Sequence, residues 1–174
     1  MLKSPKEHKP CGRTESTVKI LVFSDSHGAY SKLERAAALH PDAGMIIFLG
    51  DGLRDAERLF EGYPLLDRVA VKGNCDRGGI GLSDTYLDEQ TAEIAGKRIF
   101  CCHGHKYNVK FTQMNLWFRA REKEADIALF GHTHDPFERR EDGLLLFNPG
   151  SVAQGSYGII YIENGAVLAS HGKI

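Results

Sequence analysis

Five short stretches of this sequence put metal-capable side chains one or two residues apart: Asp25-Ser26-His27, Gly50-Asp51, Gly73-Asn74-Cys75-Asp76, His103-Gly104-His105 and Gly131-His132-Thr133-His134. Five of the chain's eight histidines fall in three of them. The candidate ligands are Asp25, His27, Asp51, Asn74, His103, His132 and His134. They combine carboxylate, amide and imidazole donors without a thiolate, which suits Mn²⁺, Fe or Zn²⁺ better than Cu(I). Such a set is large enough for two cations roughly 3.5–4 Å apart, provided one carboxylate such as Asp51 is shared between them. Taken singly, each stretch also has a plain reading. Asp25 could cap a helix, Gly50-Asp51 and Asn74 could be turn residues, and His103 could be a satisfied, partly buried histidine. The joint order, with a strand and a turn at every step, favours the metal reading.

The elements that must position these residues can be read from the apolar pattern. Val18–Phe23, Met45–Leu49 and Arg68–Lys72 are short and dense in β-branched and apolar residues, as expected of strands buried on both faces. Helices are expected at Tyr30–Leu39 and Leu53–Phe60. Strands are expected at Tyr86–Ala95 and Lys97–Cys102 around Gly96, a helix at Phe111–Lys123, and a strand at Ile127–Phe130. Phe137–Arg140 and Leu144–Phe147 suggest a hairpin, and Tyr157–Glu163 and Ala166–Ser170 another, across the type I′ signal Asn164-Gly165. Every candidate ligand follows a strand, and sites in α/β sheets collect beyond the strands' carboxyl ends. In extended backbone, His132 and His134 would leave the chain on the same side. Gly50, Gly73, Gly104 and Gly131 would permit tight turns or positive φ beside the ligands.

Composition narrows the function classes. With 174 residues the chain suits one domain with a sizeable core, and 42% hydrophobic and 26% charged residues are ordinary for a soluble globular protein. The net charge of −1 is not the electrostatic footprint of a general nucleic-acid binder, and no stable nucleic-acid complex is expected. No apolar run approaches the ~20 residues of a membrane span. Met1–Thr17 is polar and reads as a flexible leader rather than a secretory signal, with residues 18–174 as a single domain. The four cysteines, Cys11, Cys75, Cys101 and Cys102, form no CxxC pair and read as reduced thiols of a cytoplasmic protein.

The motifs in this order resemble the calcineurin-like metallophosphoesterase superfamily over about Val18 to Ser170. The absence of accessory domains, the Cys after the Asn and the sequence Asn148-Pro149-Gly150-Ser151 look most like its small bacterial and archaeal phosphodiesterase branch. The resemblance implies an α/β fold, a four-layer α/β-β/α sandwich of two mixed β-sheets flanked by helices. It implies that Asp25, His27, Asp51 and His134 hold one cation and that Asp51, Asn74, His103 and His132 hold the other. Two such cations would lower the pKa of a bridging water and clamp the phosphoryl oxygens, giving direct hydrolysis of a small phosphoester, most simply a diester. Mn²⁺ is the first expectation for the cofactor, with Fe, Zn²⁺ and Ni²⁺ as alternatives. Asn74 would bind a cation through its amide oxygen and could touch phosphate through its NH₂. Asp76 would orient a neighbouring ligand. Family members often carry a His after the metal-binding Asn, proposed as general acid; here that residue is Cys75, and His105 is the nearest replacement. Three rivals stand beside this reading: a non-enzymatic trafficking subunit of the same superfamily, a nuclease with additional domains, and a structural zinc site, which would be four-coordinate and rich in Cys. Arg54, Arg77, Tyr107, Asn108 and Gly78–Ser83 are the variable residues expected to shape the pocket, and a homo-oligomer is an open expectation.

Overall fold

A computed structural model describes residues 17–76 and 85–174. The expectations placed on Met1–Ser16, on Arg77 and on Gly78–Ser83 lie outside those residues. Along the chain run β1 (Val18–Phe23), α1 (Tyr30–Ala38), β2 (Met45–Phe48), α2 (Leu53–Gly62), β3 (Asp67–Ala70), β4 (Glu89–Ile94) and β5 (Lys97–Cys102). A single 3-10 turn at His105–Tyr107 follows, then α3 (Met114–Glu122), β6 (Ile127–Leu129), β7 (Pro136–Glu141), β8 (Leu144–Pro149), β9 (Ser156–Glu163) and β10 (Ala166–Lys173).

The strands form two mixed five-stranded sheets, ordered β10-β9-β1-β2-β3 and β4-β5-β6-β8-β7. Each contains three adjacent parallel strands, β1-β2-β3 in the first and β5-β6-β8 in the second, and antiparallel strands complete the edges. Side chains alternate between faces along a strand, so one strand feeds two layers. Ile20 and Val22 of β1 meet Ile99, Ile127 and Leu145 in the core between the sheets. Leu21 and Phe23 face the other way, onto Leu33, Ala36, Leu59 and Phe60 of α1 and α2. In the second sheet Phe100, Ala128 and Leu146 pack under Leu116 and Ala120 of α3. The result is the helix–sheet–sheet–helix sandwich expected from the resemblance.

Several boundaries differ from the sequence reading for identifiable reasons. Strand β4 begins at Glu89 rather than Tyr86, because its register pairs Glu89 with Cys102, the last residue of β5. Upstream, Leu87 instead accepts a hydrogen bond from the Lys72 N–H at 3.0 Å. Helix α3 begins at Met114 rather than Phe111, after a turn at left-handed Asn108 (φ 54°). The N-cap residue is Gln113, without a side-chain cap bond, and the Thr112 hydroxyl before it accepts from the Met114 N–H at 3.3 Å. Phe111, Met114 and Phe118 are consequently exposed, and Leu116 and Ala120 bury the helix. The Asn164-Gly165 turn behaves as expected, with both residues at positive φ (50° and 81°) between paired Glu163 and Ala166. No helix of the described residues is long and apolar enough to cross a membrane.

Candidate metal centre

The carboxyl ends of the two parallel trios meet at one rim, and all seven candidate ligands stand there. Two clusters emerge. Asp25, His27 and His134 form one, and Asp51, His103 and His132 form the other; within each, one ligand atom per residue lies within 4.8 Å of the others. In the first, His27 Nε2 and His134 Nε2 are 3.3 Å apart and Asp25 Oδ1 is 3.2 Å from His134 Nε2. Neighbouring ligand atoms of a single ion, each about 2.0–2.2 Å from it, have this spacing. In the second, Asp51 Oδ2 lies 3.3 Å from His103 Nε2. Asp25 Oδ1 is 3.9 Å from the same nitrogen, so the clusters adjoin.

The His132–His134 pair corrects the sequence picture of an extended strand end. Both residues adopt left-handed backbone, with φ of 69° and 67°, and their rings go to different clusters. Asp25 (53°), His27 (45°) and Asp51 (57°) share that uncommon conformation. Each non-glycine residue held there costs of order 1 kcal/mol or more, and such strain gathers where function fixes the geometry. The neighbouring glycines serve two purposes. Gly50 and Gly104 take positive φ. Gly73 and Gly131 instead allow close approach: a Cβ on Gly73 would lie 2.1 Å from Asp51 Oδ1, and one on Gly131 would lie 1.9 Å from Ser24 Oγ.

Hydrogen bonds aim the donors. His103 is fully buried, and its Nδ1 sits 2.7 Å from the Leu49 carbonyl, which can only accept. That contact places the proton on Nδ1 and leaves the Nε2 lone pair free for a cation. Asp25 Oδ2 accepts from Ser24 Oγ (2.6 Å) and from the His132 N–H (3.0 Å), while Oδ1 faces the centre. Asp51 Oδ1 accepts from the Cys75 N–H at 2.7 Å. Among the described residues, Asp25 Oδ1, Asn74 Oδ1 and His103 Nε2 are buried polar atoms without a hydrogen-bond partner, and His105 Nδ1 beside them is another. Orphaned buried acceptors are uncommon, since each costs about 1–3 kcal/mol. Three converging at one rim, on carboxylate, amide and imidazole, fit divalent cations as the missing partners.

The donors are strongly coupled electrostatically. Burial opposes ionisation of Asp51, but the His103 imidazole outweighs it and holds the carboxyl well below the usual carboxylate range. Burial likewise opposes protonation of His103, yet Asp51 and Asp25 raise its pKa, so a cation binding at Nε2 would displace the proton that these carboxylates favour there. Burial, with the charges of His103 and Lys110, lowers His132 to about 4, so its ring is neutral and able to ligate. Burial and Asp51 push the Cys75 thiol up to about 11. Its sulfur lies in a third grouping, with His27 and Asp51.

Asp76 has a role that the sequence indicated only in outline. Its Oδ2 accepts from the N–H groups of Asp51 and Gly73, both at 2.7 Å, and its Oδ1 from those of Gly52 (2.8 Å) and Leu53 (3.0 Å). One carboxylate thus pins the Asp51 loop to the Asn74 loop and caps the N-terminus of α2. It acts by positioning. Replacing Asp76 with Ala strands four backbone donors, and urea unfolding is expected to show a loss of about 3–5 kcal/mol, since hydrogen bonds to a charged group contribute roughly 1.5–3 kcal/mol each and do not add fully. A loss below about 1 kcal/mol would show that water replaces the carboxylate. His105 stands beside the second cluster, its ring centroid 5.5 Å from that of His103. The Tyr107 hydroxyl donates to Glu89. Three contributors escaped the sequence reading: Ser24, Leu49 through its carbonyl, and Asp55, which accepts from Ser26 Oγ (2.6 Å) and the Gly28 N–H (2.9 Å). Only Asp55 carried any signal, as an acidic residue in the first turn of an expected helix.

A two-sheet sandwich with paired ligand clusters at the ends of its parallel strands defines a class of metal-binding α/β proteins. The chain belongs to the calcineurin-like phosphoesterase superfamily, whose domain model matches residues 18–165. It is 34% identical over 157 residues to the probable metallophosphoesterase YsnB of Bacillus subtilis, covering 86% of this chain and 87% of that protein. To the phosphodiesterase YfcE of Escherichia coli K12 it is 28% identical over 183 residues, covering 90% and 87%. A crystal structure of a predicted phosphoesterase from Streptococcus pneumoniae superposes with a TM-score of 0.75 at 29% identity, covering 91% and 90%.

Proposed function

We propose that this protein is a phosphodiesterase that hydrolyses a small phosphoester at a centre of two divalent cations. The observation that carries this reading is that Asp25 Oδ1 and His103 Nε2, 3.9 Å apart, and Asn74 Oδ1, whose amide NH₂ meets Cys75 Sγ beside His27 and Asp51, are all buried without a hydrogen-bond partner. One position would be held by Asp25, His27, Asp51 and His134, the other by Asp51, Asn74, His103 and His132. Cations held there, Mn²⁺ first and Fe, Zn²⁺ or Ni²⁺ as alternatives, would supply Lewis acidity toward the phosphoryl group and hydroxide for direct attack. The protein's own work is to fix the donors. Leu49 sets the His103 tautomer, the Ser24 hydroxyl and His132 N–H set the Asp25 carboxylate, and Asp76 holds the Asp51 and Asn74 loops together. No side-chain nucleophile is required. The thiols of Cys75, Cys101 and Cys102 are free, which supports a reducing, cytoplasmic setting.

The departing alkoxide needs a proton, and two side chains at the centre can hold one: His105, on a ring nitrogen, and Cys75, on sulfur. The experiment is a panel of phosphodiesters and monoesters graded by leaving group, run with each metal. A nitrophenolate leaves without help, so His105→Ala should lower its hydrolysis by less than about 3-fold, whereas an alkyl leaving group should lose the 10²–10⁴-fold that a general acid contributes. Equal losses for both leaving groups would assign His105 to holding the His103 loop. Absence of metal-dependent turnover with every ester would overturn the proposed activity.

A further inference from the structure

The two ligand sets come from different sheets. Asp25, Asp51 and Asn74 follow strands of the first; His103, His132 and His134 follow strands of the second. Between the sheets lies a core built of aliphatic side chains such as Ile20, Val22, Ile127 and Leu145. Apolar contact is non-directional, so this core cannot by itself set a ligand to the half-ångström that a functional site requires. Directional bonds must do so. Two join the ligand loops directly, His132 N–H to Asp25 Oδ2 and His103 Nδ1 to the Leu49 carbonyl, and a further group gathers at one turn.

Chain crossing from β8 to β9 passes from the second sheet to the first through Asn148-Pro149-Gly150-Ser151. Asn148 is fully buried. Its Nδ2 donates to the Gly131 carbonyl (2.9 Å) and to Thr133 Oγ1 (3.0 Å), and its Oδ1 accepts from the Gly150 N–H (2.9 Å). The amide can face only one way, because reversing it would set oxygen against the Gly131 oxygen and NH₂ against the Gly150 N–H. Ser151 reaches the other sheet: its Oγ donates to the Asp25 carbonyl at 2.8 Å. The Ser151 N–H also donates to the His134 carbonyl (3.2 Å), while the N–H groups of Val152 and Ala153 donate to the carbonyls of Ser24 (3.0 Å) and Asp25 (3.2 Å).

We propose that Asn148 and Ser151 are positioning residues for the metal centre, with Asn148 clamping the His132–His134 loop and Ser151 clamping Asp25, so that the crossover sets the distance between ligands carried by different sheets. The inference rests on the two-cation reading above. It explains how His132 and His134 hold their left-handed backbone: the carbonyl before His132 and the side chain between the two histidines are both tied to Asn148. It also predicts an asymmetry. Asn148 supports one ligand of each cation, whereas Ser151 Oγ supports Asp25 alone.

The test is titration of the metal-free protein with Mn²⁺ by isothermal calorimetry, with circular dichroism and the unfolding midpoint recorded for each variant. Asn148→Asp keeps the shape but turns a carboxylate oxygen toward the Gly131 carbonyl. Both binding events should weaken by about 10–100-fold, the usual effect of losing a partner that orients ligands. Ser151→Ala is nearly isosteric and retains the backbone bond to His134; it should weaken one event by a few-fold and leave the other unchanged. Ile162→Val, in the core where β9 pairs with Val18 at the start of β1, is the control and should lower the midpoint without changing affinity. Folded Asn148→Asp with wild-type affinity for both ions would overturn the proposal, as would an equal loss in Ile162→Val. If Asn148→Asp does not fold, Ser151→Ala decides, and unchanged affinity there overturns the proposal. Wild-type protein that binds no Mn²⁺ would instead remove the two-cation reading itself, and this inference with it.

Discussion

Asp51→Asn is expected to abolish hydrolysis while leaving the fold intact. Asp51 is nearly buried, at 3% exposure, and is the shared ligand in the two-cation reading. The substitution preserves shape and several contacts. The amide oxygen can still accept from the Cys75 N–H, now at 2.7 Å, and the new NH₂ can donate to His103 Nε2, which the Leu49 carbonyl leaves as an acceptor across 3.3 Å. What disappears is the negative charge that the proposed pair of cations would share. Stabilisation of transition-state charge by bound metal is worth several kcal/mol, so turnover should fall by roughly 10³-fold or more. Circular dichroism should not change. Calorimetry should show loss of at least one Mn²⁺ equivalent. Metal-dependent turnover within about tenfold of wild type would remove Asp51 from the bridge and with it the two-cation reading.

Stripping metal from the protein should have the second large effect, on stability as well as activity. The metal-free centre buries three unpartnered polar atoms and carries five ligand residues in left-handed backbone. A cation that pairs those atoms binds the native state only, and at about 100 times its Kd contributes roughly 2.7 kcal/mol. For a domain of this size 1 kcal/mol shifts the midpoint by about 2–4 °C, so each occupied position should raise it by roughly 5–10 °C. Differential scanning fluorimetry with chelator and then with Mn²⁺, Zn²⁺, Fe²⁺ or Ni²⁺ measures this, and the order of the shifts ranks the metals. Unfolding that ignores both chelator and metal would leave the orphaned atoms without their proposed partners. Recovery of phosphodiester hydrolysis should track the same ranking unless the tightest ion is too slow to exchange with substrate oxygens.

The variants also separate two kinds of dependence. Asp51→Asn alters the centre and spares the frame, while Asp76→Ala alters the frame by releasing four backbone donors that join the Asp51 and Asn74 loops to α2. The first should lose metal, and with it the metal-dependent rise in midpoint, while keeping the midpoint of the metal-free protein; the second should lower the metal-free midpoint itself and lose metal affinity as a consequence.

Much of this was legible before any tertiary structure. Continuous apolar runs such as Met45–Leu49 announced strands buried on both faces, because a strand between a helix layer and a second sheet has no polar side to show. Polar residues directly after each run identified the rim, since the carboxyl ends of parallel strands open into loops. Asn164-Gly165 announced its turn because so few residues tolerate two successive positive φ angles. Element ends were less legible: β4 starts opposite the last residue of β5, an outcome of pairing, and α3 starts only after the chain has turned at left-handed Asn108.

What the sequence determined by itself was the inventory: donor types, their order, and their attachment to strand ends. The family resemblance already implied how that inventory divides; tertiary structure alone decided the backbone that separates the two histidines. The extended-strand reading of His132 and His134 sends both rings one way, but the left-handed backbone at both residues sends them to separate clusters. The loop that carries them is hydrogen-bonded to Asn148, sixteen residues from His132 in the chain, and the same crossover bonds to Asp25, more than a hundred residues away. Spacing along a chain can report what is available within one loop; the distance between loops on different sheets is fixed only when hydrogen bonds close across the core.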